Sequence, residues 1–547
     1  MKKISTFLIL TLALPALLFA QTHHDWSYNL SIYEVNVRQY TEEGTFAAFE
    51  EHLDRLEDLG VGILWLMPIH PIGEENRLGS LGSYYSVKDF FDINPEFGDL
   101  EDFGHLVEQI HERGMYVILD WVANHTAWDH PLTETNPEWY ELDNNGNFMP
   151  PPGTNWSDVI QLDFSEPGLR EYMTNAMKFW VEEFNIDGFR YDAAGYVPMD
   201  YWEEAIEELR DLKPDIFLLA EDNGPEWHEA GFDMSFGWDM YGFGHGVLIN
   251  IAEGTNSAAH LNTYLDGQIN NYPSDAYRMY FTSNHDENSW YGTTEELFGD
   301  AAEVFAVLTA TVHGMPLIYS GQEAGLDKRL AFFNKDEIEW RDHPKADLYR
   351  TLFHLKRDNQ ALWNGEAGGI RQRVSTSLNA STYAYLREKN GDRVFVAMNL
   401  TDQERSITLN GDRHYGTYRD VFSDEIIQLD ENTSFTFAPW DYVVYEGTDS
   451  GVSTEPENRP YRFSLDQNYP NPFNPSTQIS FELDRYEHVN LSVYDVLGRQ
   501  IQVLVSDDLR AGKHTVRFDA SRLSSGVYIY VLQAGNQRIS RTMMLVK

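Results

Sequence analysis

The sequence predicts a (β/α)8 barrel followed by two smaller all-β domains. Between residues 32 and 359, short β-rich apolar segments alternate with amphipathic segments, which is the order that a βα barrel requires. Eight β-rich segments can be distinguished, and eight strands close this barrel. Several of these segments end in charged or imidazole side chains, and the C-terminal ends of its strands are where this fold builds active sites.

The eight candidate strands are continuous apolar runs, as is typical of parallel strands that are buried on both faces. They are predicted at Ile32–Val37, Gly62–Met67, Tyr116–Leu119, Ile186–Tyr191, Ile216–Ala220, Phe232–Ser235, Met279–Thr282 and Leu317–Tyr319. The sixth lies within residues 231–246, which otherwise have the composition of a loop.

Amphipathic helices are predicted between the strands. Apolar residues recur with helical spacing in Phe46–Leu59, Leu100–Arg113, Glu171–Phe184 and Trp202–Leu212. The alternation is interrupted once, over residues 126–164, by an excursion rich in Pro, Asn, Gly and Trp. Because a long loop inside a compact domain is usually functional, we expect this excursion to contribute to a site.

The remaining segments predict separate domains and export. A basic start, a short apolar stretch and a small residue at Ala20 predict a secretory signal peptide over residues 1–20. The barrel then covers residues 21–360, and the short alternating strands of 361–447 predict an antiparallel β-sandwich. Residues 448–460 have the composition of a polar linker, and 461–547 form a last block.

Composition excludes several classes of function. With 87 acidic and 40 basic residues the net charge is −47, which repels nucleic acid and anionic membranes. The chain has no cysteine, so disulfides, thiol catalysis and cysteine metal sites are excluded. No segment after the signal peptide has the roughly 18 uninterrupted apolar residues that a membrane-spanning helix needs, so none is predicted in the mature protein.

Four segments at strand ends carry the candidate catalytic residues. A single Asp that ends a strand is usually a turn former or a helix cap. Four strands that together supply carboxylates, two histidines and an arginine can instead converge on one pocket, which predicts an enzyme. The segments are Asp120-Trp-Val-Ala-Asn124-His125, Gly188-Phe-Arg190-Tyr-Asp192, Leu219-Ala-Glu221 and Ser283-Asn-His285-Asp286.

In content, order and spacing these segments resemble the conserved regions of the alpha-amylase family, glycoside hydrolase family thirteen. The resemblance runs from about Ile32 to about Tyr445. It implies that Asp192 is the nucleophile, Glu221 the general acid/base and Asp286 the carboxylate that stabilises the transition state. The substrate-binding residues that it implies are Tyr85, Asp120, His125, Arg190 and His285.

The chemistry of a retaining glycosidase asks for the same residue types. One carboxylate attacks the anomeric carbon, and a carboxylic acid about 5–5.5 Å away protonates the leaving oxygen. The acid needs a raised pKa, which burial after an apolar strand and two acidic neighbours would give Glu221. Arg190 is two residues before Asp192 on one strand, so it faces the same side and can hold that carboxylate ionised.

The family resemblance also implies a structural Ca2+ ion between the barrel and the excursion, which the family calls domain B. Asn124 matches the usual Asn ligand, Asp163 matches a carboxylate of a further conserved region, and Tyr196 could add a backbone carbonyl. In the alternative interpretation, Asn124 binds only loop backbone and Asp163 caps a helix. Typical members carry a Lys-His pair where this chain has Gly195-Tyr196, so product length is left open.

The last block carries a second resemblance. The segments Leu465–Thr477, Val493–Arg499 and Ser525–Tyr528 resemble the C-terminal sorting domain of type IX secretion cargo. The resemblance implies a small β-sandwich that is recognised by an outer-membrane translocon, and a secreted or cell-surface location in a diderm bacterium. An accessory sugar-binding sandwich is the alternative interpretation.

The sequence therefore leads to three hypotheses. The first is an exported retaining hydrolase that cleaves the α-1,4-glucosidic bonds of starch or maltooligosaccharides. The second is a cyclomaltodextrinase-like or transglycosylating enzyme acting on α-glucans. The third, a non-catalytic glucan-binding surface protein, is disfavoured because the three candidate catalytic carboxylates are all present.

Overall fold

The computed structural model describes residues 23–241, 245–448 and 464–546, the last range with gaps at 466–467, 469–470, 484–486, 496–498, 510–511, 522 and 535–536. The predicted signal peptide and almost all of the predicted linker lie outside the described residues. The chain divides into two compact units, Met1–Gly451 and Val452–Lys547.

The predicted barrel is confirmed. Its parallel strands are β1 (Ile32–Val35), β2 (Ile63–Leu66), β3 (Tyr116–Trp121), β4 (Gly188–Tyr191), β5 (Phe217–Ala220), β6 (Met234–Phe236), β7 (Tyr277–Tyr280) and β8 (Met315–Tyr319). Each strand pairs with the next, and β1 pairs with β8 to close the ring. Apart from Tyr116 every strand residue is buried, which explains the continuous apolar runs.

The main differences from the predicted barrel lie at element boundaries. Strand β6 begins two residues later than predicted, and β7 begins two residues earlier. The predicted helix Phe46–Leu59 is two helices, because the His52 N–H bonds the Phe49 carbonyl three residues back in a tight turn. The second of these helices ends at Gly60, where a φ of 88° favours glycine.

The helices of the first unit surround the barrel and fill its connections. They are Val37–Tyr40, Phe46–Glu50, Leu53–Leu59, Leu100–Glu112, Leu132–Thr135, Pro167–Phe184, Met199–Leu212, Glu226–Glu229, Trp238–Tyr241, Val247–Ala252, Ala258–Asn271, Thr294–Phe298, Ala302–Thr311 and Pro344–Asp358. Within the described parts of the chain, no helix combines the length and the apolarity needed to cross a membrane.

The excursion after β3 is held by a short antiparallel ribbon. His125–Ala127 pairs with Val159–Gln161, and His125 lies opposite Gln161. All six ribbon residues are buried. The ribbon therefore fixes both ends of the excursion beside the C-terminal end of β3, where the candidate site lies.

Two antiparallel sheets follow the barrel within the first unit. The larger has the strand order Gln372–Val374, Thr382–Lys389, Asp392–Asn399, Tyr442–Gly447, Gly416–Asp420 and Ile426–Leu429. The smaller pairs Arg405–Thr408 with Ser434–Phe437. Ile407 and Phe437 of the smaller sheet pack in one core with Phe395 and Tyr418 of the larger, as the predicted β-sandwich requires.

The second unit is also all-β and has its own core. A three-stranded sheet contains Ser464–Leu465, Ser476–Leu483 and Gly512–Asp519 in that order. A four-stranded sheet contains Gln500–Leu509, Glu487–Asp495, Gly526–Ala534 and Gln537–Leu545. Ile479 and Phe518 of the first sheet share a buried cluster with Leu491 and Tyr530 of the second.

Candidate active site

Arg190 of β4 is the centre of an ion-pair network at the C-terminal end of the barrel. Its Nη1 lies 2.7 Å from Asp120 Oδ1 and 3.0 Å from Asp192 Oδ1, and its Nη2 lies 2.8 Å from Glu221 Oε1. Asp120 is the register partner of Arg190 on β3, whereas Asp192 and Glu221 follow the ends of β4 and β5. Three adjacent strands therefore bring three predicted carboxylates to one guanidinium group.

The Arg190 side chain is fully excluded from solvent. The carbon of its guanidinium group lies 5.0 Å from the ring centre of Trp65, 5.7 Å from that of Phe236 and 5.8 Å from that of Tyr85. Burying a charge is costly unless it is paired, and here both ion pairs and aromatic faces compensate it. Arg190 therefore has one rigid position from which it orients the carboxylates.

Asp120 has both carboxylate oxygens occupied by protein donors. Arg190 binds Oδ1, while Trp65 Nε1 and the Tyr85 hydroxyl donate to Oδ2 over 3.1 and 3.0 Å. Burial raises the pKa of Asp120 to about 6 against the opposing effect of Arg190. Asp120 therefore holds Arg190 and Tyr85 in place.

His285 connects the Asp120 network to the opposite side of the barrel. Its Nδ1 is bonded to Glu34 of β1, and its Nε2 donates to the Tyr85 hydroxyl, 2.7 Å away. Burial opposes protonation, but the carboxylates of Asp286 and Glu34 outweigh it and raise the pKa of His285 to about 9. At neutral pH both ring nitrogens therefore carry hydrogens, and the ring is a cation.

Glu221 has the raised pKa that a general acid needs. Burial and the negative charges of Asp192 and Asp286 raise its pKa to about 8, against the opposing effects of Arg190 and of the Ala193 N–H. That N–H donates to Glu221 Oε2 over 2.7 Å. It can do so because Ala193 adopts a left-handed φ of 44°, which turns the chain directly after Asp192.

His125, the remaining predicted binding residue, is buried beside the excursion. Burial lowers the pKa of His125, so its ring is neutral near pH 7, and the ring lies 5.5 Å from Trp156 of the excursion. Trp156 in turn lies 5.9 Å from Tyr196, whose side chain is half exposed. On the other side, Trp290 Nε1 donates to Asp286 Oδ1 over 3.1 Å.

Several residues of the site were not found from the sequence. Glu34 and Trp65 are such residues, and so are Ala193 and Trp290. A signal existed for Glu34, which is the only charged residue in the buried run of β1. Trp65 and Trp290 carried no such signal, because an aromatic residue in a strand or after one is most often part of a core.

The oxygens predicted to bind Ca2+ accept hydrogen bonds from protein donors. The Asn124 side-chain oxygen, the Asn124 carbonyl and the Leu162 carbonyl converge on the amide nitrogen of Gln161, at 2.8, 3.2 and 3.0 Å. The Gln161 amide nitrogen thus binds all three oxygens, whereas its Oε1 is buried without a hydrogen-bond partner. The Asp163 carboxylate accepts from the Ser165 N–H instead.

Two further observations bear on the metal prediction. Among the described residues, no group of three or more His, Cys, Asp or Glu side chains could hold an ion. Tyr196, whose backbone carbonyl is the third predicted ligand, lies in the short turn Ala194–Tyr196. The link between barrel and excursion at Asn124 is therefore an amide network.

Comparison with known families gives three matches along the chain. Residues 19–152 and 153–373 match the family described as alpha amylase, catalytic domain. Residues 373–444 match the C-terminal domain of maltogenic amylase, and residues 467–547 match the secretion system C-terminal sorting domain. Together these matches follow the order of the barrel, the sheets after it and the second unit.

Individual relatives agree with the family matches. An alpha-amylase of Haloarcula japonica is 29% identical to this chain. The match covers 70% of this chain and 57% of that relative's length. A cyclomaltodextrinase of a Bacillus species is 28% identical over 64% of each chain. Among solved structures, a noncanonic maltogenic alpha-amylase from Thermotoga neapolitana superposes on this chain with a TM-score of 0.67 and a sequence identity of 31%. The match covers 76% of this chain and 96% of that protein.

Proposed function

The chain belongs to the alpha-amylase family of glycoside hydrolases, and on that premise we propose that it hydrolyses α-1,4-glucosidic bonds of maltooligosaccharides with retention of configuration. The observation that carries the proposal is the pairing of Glu221, whose pKa is about 8, with Asp192 across the Arg190 guanidinium group. One residue is then a proton donor at neutral pH, while the other is held beside a fixed cation.

In the first proposed step, an oxygen of Asp192 attacks the anomeric carbon of the bound sugar. Glu221 gives its proton to the glycosidic oxygen as the carbon–oxygen bond breaks, so the leaving glucan departs as a neutral alcohol. The products of this step are a covalent glycosyl-enzyme on Asp192 and an ionised Glu221. The contact of Nη1 with Asp192 Oδ1 stabilises the carboxylate before it attacks.

In the second step, ionised Glu221 takes a proton from a water molecule, whose oxygen attacks the anomeric carbon. The bond to Asp192 breaks, and both residues return to their starting protonation states. The positive charge that develops on the sugar ring in both steps is stabilised by the carboxylates of Asp192 and Asp286. His285 holds this side of the site in place, because its Nε2 binds the Tyr85 hydroxyl and lies 3.5 Å from Asp286 Oδ2.

A second candidate, a cyclomaltodextrinase or maltogenic type of enzyme, is favoured by one feature of the leaving-group side. A side chain at Gly195 would meet the carboxylate of Asp222, which would have to move to admit the long side chain that typical amylases carry there. Tyr196 presents a half-exposed ring next to it. Relatives bearing these names, and the maltogenic C-terminal match over residues 373–444, support the same candidate.

The C-terminal match extends the proposal to the location of the enzyme. Because residues 467–547 match a secretion sorting domain, we propose that the protein is exported by the type IX machinery and meets its substrate outside the cell. The acidic composition, with a net charge of −47, suits a protein that works in solution among neutral glucans.

Sizing of the products separates these candidates. Purified protein is incubated with amylose, maltoheptaose and β-cyclodextrin, and the products are resolved with their anomeric configuration. Rapid shortening of amylose supports the alpha-amylase type, and preferential opening of the cyclodextrin supports the second candidate. Release of products with inverted configuration would refute the retaining mechanism, and the absence of turnover would leave glucan binding alone.

A further inference from the structure

Trp290 contacts a proposed catalytic carboxylate and is half exposed at the same time. Its Nε1 donates to Asp286 Oδ1 over 3.1 Å, while 49% of the residue's surface is accessible. It lies in Glu287–Tyr291, a π-helical turn directly after Asp286. Such turns are rare and occur frequently at functional sites, because they move side chains out of the regular helical positions.

The Trp290 ring continues an aromatic surface that begins inside the site. It lies 5.0 Å from Phe332 and 5.7 Å from Phe333, measured between ring centres. Phe332 lies nearly parallel to Tyr85, at 6.1 Å and 15°, and is 6.3 Å from the His285 ring. The surface therefore runs from Tyr85, beside the proposed catalytic centre, outward to Trp290.

The position of the proposed general acid, Glu221, indicates which part of the substrate contacts the aromatic surface from Tyr85 to Trp290. Glu221 must face the glycosidic oxygen. It is bonded to Ala193, which begins the turn that ends at Tyr196, and the Tyr196 ring lies 5.9 Å from that of Trp156. That turn therefore borders the leaving group. The Tyr85–Phe332–Trp290 surface instead contacts Asp286 and His285, which are proposed to act on the attacked sugar, so it borders the sugars that remain on the enzyme.

Resting on the proposed function, we infer that Trp290 is both a positioning residue for Asp286 and the platform for the second glucose unit on the retained side. Its N–H fixes Oδ1, which leaves Oδ2, 3.5 Å from His285 Nε2, directed to the attacked sugar. Its exposed ring offers apolar area against which the C–H face of a pyranose can pack. One side chain thereby couples transition-state geometry to the length of the product.

Two fluoride substrates separate the two roles. The α-glucosyl fluoride places one sugar on the retained side, and α-maltosyl fluoride places two, with the same leaving group. Trp290→Phe keeps a ring and loses the N–H. Trp290→Leu keeps apolar contact with Phe332 and loses both the ring and the N–H. Phe422→Ala, at an exposed aromatic in the turn between strands Gly416–Asp420 and Ile426–Leu429, is the matched control.

We expect Trp290→Phe to lower kcat about 10-fold on both fluorides, as loss of one hydrogen bond to a carboxylate does. The ratio of kcat/KM for maltosyl fluoride to kcat/KM for glucosyl fluoride should stay nearly unchanged. Trp290→Leu should in addition lower the maltosyl-to-glucosyl ratio of kcat/KM about 5- to 10-fold. An unchanged kcat in Trp290→Phe would overturn the positioning role. An unchanged ratio in Trp290→Leu would overturn the platform.

The same assay keeps this inference separate from the proposed function. Failure of the unmodified enzyme to release fluoride from either substrate refutes the glycosidase proposal itself. If the enzyme is active, the kcat of Trp290→Phe and the maltosyl-to-glucosyl ratio of kcat/KM in Trp290→Leu decide the role of Trp290 alone. Melting curves of all variants are recorded beside the kinetics, and Phe422→Ala should match the unmodified enzyme in both.

Discussion

Oε1 of Glu221 lies 2.8 Å from Nη2 of Arg190, although the pKa of Glu221 is raised to about 8. A guanidinium group this close normally favours the ionised carboxylate. Here burial and the negative charges of Asp192 and Asp286 have the larger effect, because the same cation is shared with Asp120 and Asp192. The shared cation thus keeps the site assembled without removing the proton that the reaction needs.

Glu221→Gln should lower kcat on maltooligosaccharides by about 10²- to 10⁴-fold, because no proton reaches the leaving oxygen. With α-maltosyl fluoride the first step needs no proton, whereas the second lacks its base. We therefore expect a burst of about one fluoride per active site, followed by slow turnover. Asp192→Asn is the control and should show no burst. A burst absent from Glu221→Gln would contradict the assignment of the acid.

The raised pKa of Glu221 also predicts how stability depends on pH. A carboxyl group whose pKa is higher in the folded state contributes stability that is lost as pH rises through the folded value, here about 8. Glu221→Gln removes this dependence. The melting temperature of the variant, relative to that of the unmodified protein, should therefore rise between about pH 5 and pH 8 and change little above that range.

His285, with a pKa of about 9, also loses stabilising charge as pH rises, but it is present in both proteins and largely cancels in the comparison. Urea unfolding at pH 6 and pH 9 gives the two differences directly. A variant that gains no more stability at pH 9 than at pH 6 would show that burial does not raise this pKa.

Arg190→Met should destabilise the barrel, because it leaves the carboxylates of Asp120, Asp192 and Glu221 buried without a cation. Breaking a buried pair by removing one partner typically costs about 3–5 kcal/mol of unfolding free energy. The loss should shrink towards pH 4, where the carboxyl groups become protonated. Arg350→Met, which breaks exposed pairs with Asp58 and Asp347, is the control and should cost about 1 kcal/mol or less. Equal losses would refute the network.

The sequence was sufficient for the barrel and for the residues at strand ends, because both depend on local pattern. All eight strands follow from apolar runs, and Arg190, Asp192 and Glu221 converge because parallel strands end at one edge. It was not sufficient for contacts between distant segments. Glu34 bonds His285, which is 251 positions away in the sequence. No local pattern predicts that the Gln161 amide donates to the side-chain oxygen of Asn124.

The amide network at Asn124 predicts that the fold does not depend on Ca2+ at this position. Excess chelator should leave the melting temperature unchanged. Gln161→Ala should lower the unfolding free energy by about 1–3 kcal/mol, because it removes the amide that donates to the buried side-chain oxygen of Asn124 and to the Leu162 carbonyl. Gln109→Ala, on the surface of helix Leu100–Glu112, is the control. A melting temperature that falls with chelator and recovers with added Ca2+ would restore the metal site.

Removal of the chain after Gly447 should leave hydrolysis per molecule nearly unchanged, since each unit has its own hydrophobic core. In a host with type IX secretion, the shortened enzyme should accumulate in the periplasm, because residues 467–547 carry the sorting match. Cell fractions from hosts with full-length and shortened forms are assayed on soluble and on granular starch. A sugar-binding module would give the opposite result: export would continue, and activity would fall on granules much more than on soluble starch.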